Sequence, residues 1–284
     1  MEEKFTIETI TGKTSYIPGS VNCGFYETCM IDTPWEMHNH KKINPQYLLL
    51  THGHADHFRM AFLFRGKGAK IVAPKEECIF VENPEINVRA TFSWAIPPDA
   101  MISSLMKGVP CKVDIYSENF FYPGITVVPL PGHSISQVGY LTSDKIFFTG
   151  DALYTKELWN TFPLPYSIDP LLVKNSLERI ANIDFDYLVP GHGKILSKKE
   201  AIEEIGYHIE RINEIDNLIL RLLESPCSTE EIISDVLSSL EINNSLAQYW
   251  IAVTVIKSHL SALTRINKVD FFLENARVYW ERVK

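Results

Sequence analysis

Thr51-His52-Gly53-His54-Ala55-Asp56-His57 places four candidate metal ligands within six residues. Imidazoles and a carboxylate crowded so closely are costly to bury unless a cation sits among them. The run just before it, Tyr47-Leu48-Leu49-Leu50, is short and continuously apolar, as suits a strand covered on both faces. Three further candidates stand alone downstream in the same local grammar. His133 follows Val128-Pro129-Leu130-Pro131-Gly132, Asp151 follows Phe147-Phe148-Thr149-Gly150, and His192 follows Leu188-Val189-Pro190-Gly191. Each is an apolar strand running into a glycine turn with a ligand at its tip. Strands that end on one side of a layered sheet would bring these tips together.

Histidine and carboxylate donors without thiolate suit zinc, and also accept iron or manganese. Alternate residues of His-x-His-x-Asp-His lie on one side of an extended turn. His52 and His54 can thus hold one ion, completed by His133. Asp56 and His57 can reach a second, completed by His192. Asp151 has two oxygens and can bridge. Two ions about 3.5–4 Å apart generate a bridging hydroxide and clamp the oxyanion formed on attack. Hydrolysis then needs no serine or cysteine nucleophile, and no Gly-x-Ser-x-Gly elbow is present.

The rest of the chain alternates strand and helix signals to about residue 200. Phe5-Thr6-Ile7, Gly24 to Asp32, Lys70 to Ala73, Thr126 to Val128, Ile146 to Phe148 and Asp186 to Val189 read as strands. Asp169-Pro170 opens a helix reaching about Ala181, Asp169 as cap and Pro170 at the first position. Beyond residue 200 the pattern becomes helical. Ile202, Ile205, Ile209, Ile212, Ile219 and Leu222 form one stripe, ended by Pro226. Ser228 to Glu231 forms a capping box for a second helix. Asn244-Ser245 starts a third, with Leu246, Tyr249, Val253, Ile256 and Leu260 inward. Val269 to Leu273 and Arg277 to Trp280, around Glu274-Asn275, read as a hairpin. Three helices and a hairpin make a winged-helix-like unit, so two domains are expected, 1–200 and 201–284.

At 284 residues, 45% hydrophobic and 22% charged, the chain can bury a sizeable core. No segment is apolar for long enough to span a bilayer, and the start, Met1-Glu2-Glu3-Lys4, lacks a signal-peptide pattern, so no membrane association and a cytoplasmic location are expected. The net charge of −8 argues against broad nucleic-acid affinity. Residues 200–284 carry 8 Lys/Arg against 14 Asp/Glu, which suits a packing or homodimer element better than a reader of DNA. The five cysteines fit neither a disulfide framework nor a Cys-x-x-Cys zinc site.

His-x-His-x-Asp-His, followed by Gly-His at 132–133, Gly-Asp at 150–151 and Pro-Gly-His-Gly at 190–193, resembles the metallo-β-lactamase superfamily. The resemblance covers roughly residues 5–200. It implies an αββα sandwich with two metals at one edge, His52, His54 and His133 on one, Asp56, His57 and His192 on the other, and Asp151 bridging. Aspartate rather than cysteine at the bridge is similar to the glyoxalase II and lactonase branches. The extension is similar to that of the β-lactamase-like protein 2 group, which includes single-strand-specific endoribonucleases and enzymes acting on thioesters. Asp151-Ala152-Leu153-Tyr154 resembles the acyl-homoserine lactonases, which implies that Tyr154 assists the carbonyl or leaving oxygen. The expected activity is hydrolysis of a small ester, thioester or lactone by metal-activated water, with Asp56 orienting it. Rival expectations are a metal-dependent endoribonuclease on single-stranded RNA and a mononuclear iron persulfide dioxygenase, whose Thr-His-x-His-Ala-Asp-His segment is similar.

Other features are read more plainly. His38 and His40 belong to a solvated loop, and His208 and His259 to single helix positions. Thr91 to Pro110 is apolar enough to cap the site and wall an acyl group, or to pack on the fold or a second copy. Trp159 and Phe162 could face the same space.

Overall fold

The computed structural model describes residues 6–40, 42–102, 106–243 and 245–283. The Met1–Lys4 start, Phe5, positions 103–105 of the apolar insert and Asn244 lie outside the described residues. A first sheet runs β1 (Glu8–Thr11), β2 (Thr14–Ile17), β3 (Cys23–Tyr26), β4 (Cys29–Ile31), β5 (Tyr47–Leu49), β6 (Lys70–Ala73) and β7 (Ile115–Tyr116), in that spatial order. It is antiparallel up to β4 and parallel from β4 onward. The first strand starts at Glu8, where pairing with β2 begins, and Thr6 and Ile7 of the expected Phe5-Thr6-Ile7 strand precede it. A second sheet comprises β8 (Ile125–Pro129), β9 (Val138–Thr142), β10 (Ile146–Gly150), β11 (Tyr187–Pro190) and β12 (Leu196–Ser197), in the order β12-β11-β10-β9-β8.

Each central strand is apolar on both faces because each face meets a different core. Leu49, Val72, Phe148 and Val189 meet between the sheets. On the outside of the first sheet, Leu48 and Ile71 pack with Phe58, Phe64 and Val81. These come from α1 (Ala55–Phe58), α2 (Ala61–Gly66) and α3 (Cys78–Glu82). A short α4 (Glu85–Thr91) follows, and α5 (Lys156–Thr161) comes after the second sheet's first three strands. On the outside of the second sheet, Phe147 and Leu188 pack with Leu177 and Ile180 of α6 (Pro170–Asn182) and Ile205 of α7 (Lys198–Leu222). The result is the αββα sandwich. Asp169 caps α6 through Leu171 and Leu172 N–H, with Pro170 at its first position.

α7 crosses from one core to another. Its first half packs on the second sheet, and Ile215 and Ile219 pack in a separate core with α8 (Thr229–Ser239) and α9 (Leu246–Arg265). Ser228 and Glu231 complete the capping box of α8, and Ser245 caps α9. The hairpin of β14 (Val269–Glu274) and β15 (Arg277–Arg282) gains a third strand, β13 (Cys227–Ser228). The inward face of α9 differs from the expected stripe. Leu246 and Tyr249 are exposed, whereas Ala252, Val255, Ile256, His259, Leu260 and Leu263 are buried. The reason is that the first turns of α9 leave the core and overhang the insert, where Trp250 meets Phe92 edge-on at 5.2 Å. No helix among the described residues is long and apolar enough to cross a membrane.

The two sheets are tied where the ligand loops emerge. Tyr140 Oη donates to Leu50 O at 2.9 Å, and Val138 N donates to Thr51 O at 2.9 Å. Tyr140 is fully buried, so Tyr140→Phe leaves the Leu50 carbonyl short of a donor. Chemical denaturation should show a loss of about 1–2 kcal/mol with an unchanged m-value.

Candidate metal centre

All seven expected ligand side chains converge at one edge of the sandwich. β8 and β10 are both antiparallel to β9, and β11 is parallel to β10, so all three run out at the same edge. There they carry the loops of His133, Asp151 and His192, facing the loop after β5. Potential ligand atoms of His52, His54 and His133 lie within 4.8 Å of one another, as do those of Asp56, His57 and His192. Asp151 lies between the two groups. Its Oδ1 is 3.3 Å from His57 Nε2, and its Oδ2 is 3.3 Å from His192 Nε2 and 3.6 Å from His133 Nε2. Asp56 Oδ2 is 3.7 Å from His192 Nε2. His38 and His40 stay outside, in and beside a 3-10 turn over Trp35–Asn39 that buries Met37.

Neighbouring groups decide which ring nitrogens face inward. His57 Nδ1 donates to Asp32 Oδ2 at 2.8 Å, and His192 Nδ1 donates to Ser20 O at 2.6 Å. Thr51 Oγ1 donates to Asp32 at 2.7 Å and so accepts from His52 Nδ1 at 3.1 Å. His133 Nδ1 lies 2.7 Å from Tyr154 Oη and 3.1 Å from Tyr166 O. With Nδ1 donating in each, Nε2 is the nitrogen turned inward, a free lone pair on neutral His52 and His133 and a proton to be shed on His57 and His192. His52 Nε2, His57 Nε2 and Asp151 Oδ1 are buried without a hydrogen-bond partner. His54 Nδ1 and His133 Nε2 stand 2.8 Å apart. Buried ring nitrogens and a carboxylate oxygen left without partners are costly to hold unless a cation lies among them, so the residues fit one or two metal ions.

The electrostatics divide the cluster. Burial pushes His52 well below the ordinary imidazole range, helped by the rings of His57 and His54. Burial, with His54 beside it, lowers His133 to about 3, and burial also lowers His54 against the pull of Asp56. These three are neutral donors. Burial also opposes charge on His57 and His192, but the carboxylates around them together outweigh it: Asp151, Asp32 and Asp56 raise His57 well above its usual value, and Asp151 with Asp56 raises His192 to about 9. Burial alone would raise Asp151, yet His192 and His57 hold it well below the carboxylate range. A cation entering beside His57 and His192 therefore displaces protons.

Several supporting residues escape sequence reading. Asp32, 2% exposed, also accepts from Thr51 N at 2.8 Å. Fully buried Glu77 accepts from Gly53 N at 3.0 Å, Ser134 Oγ at 2.6 Å and Ser136 N at 2.9 Å, fastening the His54 turn to the His133 turn. Asn22 Nδ2 donates to Pro190 O and Gly193 O, either side of His192. Glycine is required at 191, where a β-carbon would overlap Asp151 Oδ1 and come within 2.9 Å of His57 Cε1. Gly191→Ala should weaken metal binding at least about tenfold in a competition titration. Unchanged affinity would show that Asp151 can yield.

Tyr154, expected to assist a substrate oxygen, lies beside the cluster. It lines the cavity, and its hydroxyl is engaged by His133 Nδ1 and, at 3.2 Å, by Tyr166 O. Its backbone N–H donates to His208 Nδ1 at 3.2 Å. His208 is thus a buried partner of the site's second layer, touching the rings of Tyr154 and Trp159. Phe162 is exposed. Burial lowers His208 to about 3. The unfolded chain takes up this proton near pH 6.5 and the folded chain does not, so the stability is intact above pH 6.5 and falls as pH drops towards 3. His208→Gln should flatten the loss measured between pH 6.5 and 5 by up to about 1.4 kcal/mol per pH unit.

A cavity of about 210 Å³ opens onto the cluster. His54, Asp56, His133 and Asp151 form its floor, while Thr91 and Met106 of the insert and Ala247 and Ile251 of α9 form its walls. The insert and the C-terminal helices thus meet over the metal centre.

A family model described as the metallo-beta-lactamase superfamily matches residues 39–192. No curated protein matches the sequence. Among solved structures, a metallo-beta-lactamase family protein from Thermus thermophilus is similar with a TM-score of 0.69 and 18% identity, over 97% of each chain. A beta-lactamase domain protein from Burkholderia ambifaria is similar with a TM-score of 0.71 and 15% identity, over 99% of this chain and 96% of that one. A metallo-beta-lactamase from Pontibacter korlensis matches 73% of this chain and 98% of its own, with 15% identity and a TM-score of 0.52. These are likenesses of fold, and the first two extend over nearly the whole chain.

Proposed function

The chain belongs to the metallo-β-lactamase superfamily and is a metal-dependent hydrolase, and from that premise we propose that it cleaves a small ester, thioester or lactone. Two divalent ions would be held, one by His52, His54 and His133, the other by Asp56, His57 and His192, with Asp151 shared. Zinc matches the imidazole-rich, thiolate-free donor set best. Aspartate at the shared position supports the glyoxalase II and lactonase branch.

The observation that carries the substrate class is the cavity lining. Among the described residues lining it there is no Lys or Arg, and its walls include Met106, Ala247 and Ile251. An uncharged acyl group is accommodated there, whereas a phosphodiester backbone would lack counter-charge. When bound, divalent ions supply an activated water and charge for the oxyanion. Asp56, on the cavity floor, orients that water and accepts its proton. The water oxygen joins the acyl carbon, the acyl C–O or C–S bond breaks, and the proton passes to the leaving oxygen or sulfur. Tyr154 acts through His133 as a positioning residue, passing the Nδ1 hydrogen bond on to Tyr166 O. Residues 1–200 form the catalytic unit. Residues 201–284 form a helical, winged-helix-like unit that walls the cavity through α9 and serves packing, not nucleic acid.

A panel of p-nitrophenyl acetate, an acyl thioester, a γ-lactone, a β-lactam and labelled single-stranded RNA tests this with zinc-loaded protein. Turnover is expected on the carbonyl substrates other than the β-lactam, and none on RNA. His54→Ala and Asp151→Ala should each abolish it, and wild-type-like turnover in both would contradict the assignment. Tyr154→Phe should lower metal affinity about 10–100-fold while sparing kcat at saturating metal. The opposite pattern would put the phenol on the substrate.

A further inference from the structure

A second, larger cavity adjoins the first. It measures about 450 Å³ and lies between α4 and the later part of the insert. Its apolar lining includes Val88, Ile96, Pro97, Ile102, Met106 and Pro110. Met106 lines this groove and the catalytic cavity alike. The same short helix backs both, with Asn87 and Thr91 facing the metal centre and Val88 facing the groove. Ile96 is 77% exposed, so the protein leaves part of the groove's apolar wall uncovered. The charged residues around it, Glu85, Arg89, Asp99 and Lys107, are two acids and two bases and select neither sign of ligand.

Size points the same way. Small-molecule sites usually enclose about 300–1,000 Å³. The catalytic cavity, at about 210 Å³, falls below that range, and joined to the groove it falls within it.

We infer that the two cavities form one substrate channel, with Met106 at the junction, and that the substrate is an acyl ester or thioester bearing a medium or long unbranched apolar chain. The inference rests on the acyl-hydrolase reading. The scissile carbonyl sits over the metal centre and the chain passes Met106 into the groove between Val88 and Ile102. Val88, Ile102 and Met106 thereby set chain-length specificity.

The test uses zinc-loaded full-length protein and p-nitrophenyl esters from acetate to decanoate. The value of kcat/KM should rise about three- to fourfold per methylene buried, until the groove is full. Val88→Trp fills the groove and Val88→Asp makes its wall polar. Each should cut the decanoate-to-acetate ratio of kcat/KM at least about tenfold. In parallel, metal-stripped protein should bind a dansyl-labelled undecanoate displaceable by decanoate, and both variants should lose that binding. A flat chain-length profile without probe binding overturns the channel and leaves the hydrolase reading standing. Probe binding without turnover of any ester keeps the groove and overturns the acyl-hydrolase reading. A Val88→Trp variant that alters only the oligomeric state, seen by size-exclusion chromatography with light scattering, makes the groove a contact between copies and overturns the channel.

Discussion

Imidazole nitrogens and carboxylate oxygens, buried against one another, are the constraint on which this structure turns. An unsatisfied buried polar atom costs on the order of 1–3 kcal/mol, and more when charge is involved. His52 Nε2, His57 Nε2 and Asp151 Oδ1 all meet this description at one point in the molecule. A fold can bear such an arrangement only if the rest of it is rigid and a cation offsets the cost.

The rigidity comes from a layer of hydrogen bonds behind the ligands. Asp32 holds the backbone and side chain of Thr51 together with the ring of His57. Glu77 joins the turn of the first histidines to the turn of His133, and Asn22 holds the turn of His192. Every tie fixes a tautomer or a loop, so the lone pairs are aimed before any metal arrives. His208, on α7, extends the same layer to the backbone of Tyr154. The C-terminal helices are therefore coupled to the centre, both behind it through His208 and above it through Ala247 and Ile251.

Much of this was legible in the amino-acid sequence because the chemistry is written locally. Each ligand sits directly after an apolar strand and a glycine, so residue type and neighbours suffice to find it. The central strands β5, β6, β10 and β11 were legible for the same reason, being apolar on both faces, whereas β2, β7, β9 and β12 were not, and the stretch Gly24 to Asp32 holds two strands, β3 and β4, joined by a turn. Asp32 and Glu77 were not legible. They are single acids among 35, and their partners lie 19 to 59 residues away, a separation only the folded topology closes. Tyr166 acts through its carbonyl, which side-chain chemistry cannot reveal. On α9, Ile256 and Leu260 face inward as their periodicity implies, but periodicity reports which residues are apolar, not which of two apolar surfaces they meet. Leu246 and Tyr249 lie on the overhang, away from the core.

The central claim is that these seven side chains hold two metal ions. The most direct measurement is the stoichiometry of zinc bound by metal-stripped protein, titrated at neutral pH and confirmed by elemental analysis after dialysis. The account predicts two zinc ions per chain, falling to one or none when Asp151 is replaced by Ala. A wild-type plateau at a single ion, with iron taken up in preference to zinc, would contradict it.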